Sequence, residues 1–132
     1  MASPTNPGST NLGVAPNVAG LLCYLPLCCV GVVFAIVAII VEKQSRFVRF
    51  HAFQSLLLHV AWIVVAIVVW IVQIVAHLML GFLGLLVSLL AFVVFLAGVA
   101  ALILMMVKAY NNEEFELPVI GEMARKWAAG QS

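Results

Sequence analysis

Aspartate is absent from this chain, and charge of either sign is scarce: of 132 residues only 8% are charged, six Lys and Arg against five acidic residues, all Glu. A soluble domain carries about a quarter charged residues. The shortage excludes a disordered chain, whose solvation needs polar and charged residues. With a net charge of +1 it also excludes a nucleic-acid binder, which needs a basic surface to track phosphates. Cysteine is limited to three residues, Cys23, Cys28 and Cys29, with neither a CxxC pair nor a zinc spacing. Five or six residues apart on a helix, they do not share a face and read as small buried apolar residues. What fills the chain instead is apolar: 66% of the residues are hydrophobic. That is the composition of a small integral membrane protein.

The charges are segregated. Residues 1–41 and 50–107 carry none, while Glu42, Lys43, Arg46 and Arg49 stand together and the rest follow from Lys108 onward. A charge at mid-membrane costs several kcal/mol, so each uncharged block reads as bilayer crossings of roughly 20 residues each. The expected spans are 18–41, with Asn17 as N-cap and a kink at Pro26, then 53–80 and 85–107, parted at Gly81 and Gly84. Residues 1–16, rich in Pro, Gly, Ser, Thr and Asn, form a flexible polar tail without the basic start of a signal peptide. Residues 17–128 form one membrane domain, with a cytoplasmic tail at 108–132. Three crossings put all six basic residues on one side, so the positive-inside rule predicts the N-terminus out and the C-terminus in, across a cell membrane. The fold class is all-α: three transmembrane helices plus a short C-terminal interfacial amphipathic helix.

That last helix, near residues 121–129, sets Met123, Ala124 and Trp127 on one face and an i,i+4 pair of Glu122 and Lys126 on the other. Upstream, Lys43, Arg46 and Arg49 alternate with Phe47, Phe50 and Phe53. Cations among aromatics suit the headgroup layer, and these three are the candidate ligands for anionic lipid or for acidic residues of a partner.

Polar residues in the second span line up. Ser55, His59, Trp62, Ala66, Trp70, Gln73 and His77 recur at spacings of three and four, one continuous helical face. The third span carries small residues on one stripe, Gly81, Gly84, Ser88, Ala91, Gly98 and Ala101, interrupted by Phe95, and the first Gly31, Ala35 and Ala38. Such stripes let helices approach closely and hydrogen-bond across a seam. A sharper alternative is that His59 or His77 ligates a haem or a chlorophyll-type pigment, because neutral imidazole is a common metal ligand. The two lie about five turns, or roughly 27 Å, apart on one face. No carboxylate, Ser-His pair or Gly-rich phosphate loop is expected at bilayer depth, so no catalytic residues, no resident metal and no enzyme are expected.

The segment Glu42-Lys43-Gln44-Ser45-Arg46-Phe47-Val48-Arg49-Phe50-His51-Ala52-Phe53-Gln54-Ser55, the run Lys108-Ala109-Tyr110-Asn111-Asn112-Glu113-Glu114-Phe115-Glu116-Leu117-Pro118-Val119-Ile120-Gly121-Glu122, and Leu22-Cys23-Tyr24-Leu25-Pro26 resemble signatures of a family of small bacterial and archaeal membrane proteins. That family has no assigned function and is grouped with the inner-envelope translocon (Tic) component of chloroplast protein import. The resemblance covers residues 17–128. It implies architecture and supplies no catalytic residues.

Three functions compete on these grounds. One is a non-enzymatic accessory or scaffold subunit of a larger membrane complex. Another is an oligomeric transport or translocation component, as the family grouping implies. The third is a pigment- or haem-carrying subunit. The expected partners are the bilayer and other membrane subunits, or further copies of this chain, and no nucleic acid.

Overall fold

A computed structural model describes residues 10–26 and 29–130. Residues 1–9, most of the expected polar tail, and Cys28 lie outside the described residues. Among the described residues every regular element is helical: α1 (Pro16–Cys23), α2 (Val30–Val41), α3 (Arg46–Leu80), α4 (Gly84–Tyr110) and α5 (Ile120–Gly130).

The first apolar segment is broken where a kink was expected. α1 closes with tight backbone bonds from Tyr24 to Leu21 and from Leu25 to Leu22. Pro26 then ends it, since proline lacks the N–H for the next helical bond and its ring clashes with the carbonyl four residues back. When the chain re-enters a helix it has turned back on itself. A Cβ on Gly31 would lie 2.5 Å from the Leu25 carbonyl oxygen and 2.9 Å from that of Cys23, so only glycine lets the backbones come this close. With 8 and 12 residues, α1 and α2 are about 12 and 18 Å long. Neither matches the roughly 30 Å hydrocarbon core. Pro16 occupies the first turn of α1, where its missing N–H costs nothing. Asn17 is no cap here, for its side-chain amide donates to the Tyr110 carbonyl, 3.1 Å away at the end of α4.

The expected first span, 18–41, is thus two short helices and not one. The Asn11 amide donates to the Glu42 carboxylate at 2.7 Å, and the Asn11 side-chain oxygen accepts from the amides of Lys43 and Gln44 at 3.0 and 3.3 Å. The segment before α1 therefore lies at the same end of the molecule as the basic 42–45 loop. A continuous first crossing would have set it at the opposite end.

The longest helix is α3, with 35 residues and about 52 Å of axis. Ser45 caps it, its hydroxyl accepting from the Val48 amide at 3.3 Å. Its first third is buried on every side, residues 47–55 without exception. α1 and α2 pack on Phe47, Val48 and Ala52, and α5 sets Ala124 and Ala128 against Phe50 and Phe53. Beyond residue 59 the helix emerges, and most side chains from Val60 to Leu80 are exposed. At Gly81, whose φ of +54° glycine adopts without strain, a 3-10 turn (Gly81–Leu83) sends the chain back as α4. The break falls where the glycines placed it. The molecule is thus a bare apolar hairpin standing on a compact helical base. The helical run Arg46–Tyr110 is long and apolar enough to cross a membrane, and Val30–Val41 is a shorter apolar helix.

Candidate functional site

The base holds a buried polar network where α1 breaks. Tyr24, His51, Gln54 and Ser55 are all fully buried. His51 Nε2 lies 3.0 Å from the Glu113 carbonyl, which can only accept, so that nitrogen carries the proton. Nδ1 is then free to accept from the Tyr24 hydroxyl at 3.1 Å. That hydroxyl in turn accepts from Gln54 Nε2 at 3.1 Å. Gln54 also donates to the Phe115 carbonyl at 2.9 Å and accepts from the Leu117 amide at 3.0 Å. The Ser55 hydroxyl donates to the Cys23 carbonyl, satisfying an acceptor that the end of α1 leaves open.

Aromatic edges close over the imidazole: the Phe47 and Phe50 ring centroids lie 4.5 and 5.1 Å from it. Burial pushes the His51 pKa down to about 3, with the Glu113 bond opposing in part, so the ring is neutral. These residues pin α1, α3 and the 113–117 segment together. The sequence places residues 46–53 in the headgroup layer, and the structure encloses residues 47–53 instead. Three polar residues among the five at 51–55 were the available signal, since a lipid-facing turn would not carry them.

The basic loop is organised by Glu42. Its carboxylate is 0% exposed and accepts from the amides of Asn11, Gln44 and Ser45 at 2.7, 2.8 and 2.9 Å. Of the three expected cationic ligands, Lys43 and Arg46 are exposed, whereas Arg49 is only 1% exposed. Its Nε and Nη2 have no hydrogen-bond partner. Burial and then Arg46 lower its proton affinity, and Glu42 opposes them. Arg49 is therefore enclosed, because helices pack around residues 47–55 of α3.

Past the base, ion pairs hold the C-terminal segment. Lys108 meets Glu113 at 2.8 Å, and Arg125 bridges Glu114 at 3.0 Å and Glu116. The expected Glu122–Lys126 pair is formed at 2.8 Å on the exposed side of α5. Met123 and Trp127 are partly exposed, and Trp127 also meets the Phe53 ring edge-on at 5.8 Å.

The polar stripe of α3 lies on the seam with α4. His77 Nε2 is 3.0 Å from Ser88 Oγ, and the ring packs so close to Gly84 that a Cβ there would meet Nδ1 at 2.6 Å. His59 Nδ1 donates to the Ser55 carbonyl at 2.7 Å within α3. The ring also lines a cavity of about 310 Å³ with Trp62, Val94, Gly98 and Leu102. The Trp62 ring fills the space that a side chain on Gly98 would occupy. Thus His77 joins two helices, His59 bonds within its own, and the structure does not bring the two together. Among the described residues, no three His, Cys, Asp or Glu form a group able to hold a metal ion. Cys23 is buried with its thiol on the Ala19 carbonyl at 3.3 Å, and Cys29 is exposed.

Comparison with known proteins places this architecture. A family model described as the magnetosome magnetite crystal formation protein family matches residues 10–124. The UPF0132 membrane protein MJ1443 of Methanocaldococcus jannaschii is 39% identical over 125 residues, 92% of this chain and 96% of the relative. A second from that organism, MJ1527, is 30% identical over 119 residues, 88% of this chain and 72% of the relative. A UPF0132 membrane protein of Archaeoglobus fulgidus is 34% identical over 117 residues, 86% of this chain and 96% of the relative. No solved structure matches. These archaeal relatives are named as membrane proteins without an activity, and none of the names refers to the chloroplast import component. The match spans the base, the hairpin and the start of α5, and on it the chain belongs to the magnetosome magnetite crystal formation protein family, with the UPF0132 membrane proteins as its relatives.

Proposed function

We propose that this protein is a non-enzymatic accessory subunit of a membrane assembly, crossing the bilayer twice through α3 and α4. In this reading the base, including the α1–α2 hairpin, sits at the cytoplasmic face. The observation that carries the reading is the contrast between the two halves. The polar network of the base has its hydrogen bonds made, which suits a structural pin better than a reaction centre. The hairpin, by contrast, presents nearly all of its surface to its surroundings. All six basic residues belong to the base end, which the positive-inside rule assigns to the cytoplasm. Only the 81–83 turn reaches the far side. α5, with Met123 and Trp127 partly exposed beside Lys126, then lies in the headgroup layer.

The family's description concerns magnetite crystal formation. Membrane residence is what carries over to this chain, since its relatives are named as membrane proteins. Isolation from native membranes in mild detergent, followed by mass measurement of the intact complex, tests the subunit role. Recovery with other membrane proteins or with further copies supports it. A lone monomer that turns over a substrate refutes it.

A further inference from the structure

Between its two tight contacts, His77 on Gly84 and Trp62 on Gly98, the α3–α4 hairpin opens into a groove of about 400 Å³. Small residues, Ala66 and Ala91, form part of its lining, and Trp70 and Gln73 stand along it. Among the described residues no hydrogen bond reaches the Trp70 indole or the Gln73 amide. Trp70 is 63% exposed. It stands ten residues before the end of α3, about 15 Å along the axis and so near the middle of a roughly 30 Å hydrocarbon core. Tryptophan favours the membrane interface, where its N–H finds a partner, and an amide in hydrocarbon is costly unless paired.

We propose that this groove is the interface between two copies of the chain, closed by a pair of Gln73 side chains. An acyl chain would fill the groove but leave both polar groups unpaired. A second copy supplies what is missing, because a primary amide carries donor and acceptor together and pairs with itself. Geometry adds to this. All copies insert with one orientation, so a two-fold axis between them runs along the membrane normal and brings identical residues together at one depth. The small residues beside Gln73 let the helices approach closely. This inference rests on the two-crossing reading.

The test is oxidative cross-linking of full-length Gln73→Cys in native membranes, against Val72→Cys and Val75→Cys on other faces of α3, with the wild-type chain as baseline. A disulfide-linked dimer should form at least about tenfold faster at position 73 than at the two controls. In parallel, Gln73→Leu should weaken the dimer in mild detergent by about tenfold, while Gln73→Asn retains most of it. Cross-linking no faster than at the controls, or a cross-link to a different protein, overturns the proposal. Labelling of Gln73→Cys by a membrane-impermeant maleimide in intact vesicles would instead overturn the two-crossing reading beneath it.

Discussion

Asn11 and Glu42 are joined by a hydrogen bond of 2.7 Å, although they stand 31 positions apart with two helices between them. This contact ties the segment before α1 to the basic loop, and with it the topology of the chain.

The first prediction concerns that topology. Reporters fused at Met1 and at Ser132 should both read cytoplasmic, because Asn11 lies beside the 42–44 loop and the tail packs on the base of α3. An external reading at Met1 with a cytoplasmic one at Ser132 would restore three crossings.

Gly31 should be intolerant of any side chain. An added Cβ meets backbone at 2.5 and 2.9 Å, where no flexible atom can move aside. Gly31→Ala should destabilise by about 1–3 kcal/mol, as overpacking does in a close-packed core. Gly130→Ala, with nothing within 4 Å, is the control. Thermal unfolding in detergent followed by circular dichroism measures both. Equal melting temperatures would remove the tight hairpin.

His51 should make the base acid-sensitive in a defined window. Its pKa lies at about 3 in the fold against 6.5 as a free side chain. The unfolded chain therefore binds the extra proton first as pH falls. This contribution to stability is complete above about pH 6.5 and shrinks between pH 6.5 and 3, by up to about 1.4 kcal/mol per pH unit. His51→Leu should remove that slope. It should also cost about 1–3 kcal/mol at pH 8, since the Glu113 carbonyl loses its partner. An unchanged slope in the variant would assign the acid sensitivity elsewhere.

The three cations near the start of α3 should separate into two kinds. Lys43 and Arg46 are exposed, and changing each to Gln should reduce retention of anionic lipid during purification, each contributing about 1 kcal/mol. Arg49, buried with two nitrogens unpartnered, should tolerate Met without loss of stability, because its desolvation is poorly compensated. Equal loss of lipid from all three variants would place Arg49 at the headgroup surface after all.

Much of the architecture was legible in the order of residues. The uncharged block 50–107 and its glycines located the hairpin and its turn, and the recurrence from His59 to His77 located the seam with α4. The Glu122–Lys126 spacing located a helix at the C-terminus. These are local properties: a solvent preference for each residue, a period, a break.

Whether Pro26 bends a crossing or reverses the chain is not local. It depends on Gly31 meeting Leu25 and on Asn11 meeting Glu42, contacts between segments that composition does not pair. The charge rule had no purchase on the question either. Residues 1–41 carry no charge, so both topologies leave every basic residue on the same side. Tertiary packing likewise decided that Arg49 is enclosed and that His51 serves as a neutral pin. A helix wrapped on all sides by α1, α2 and α5 has no outward face, whatever its residues prefer alone.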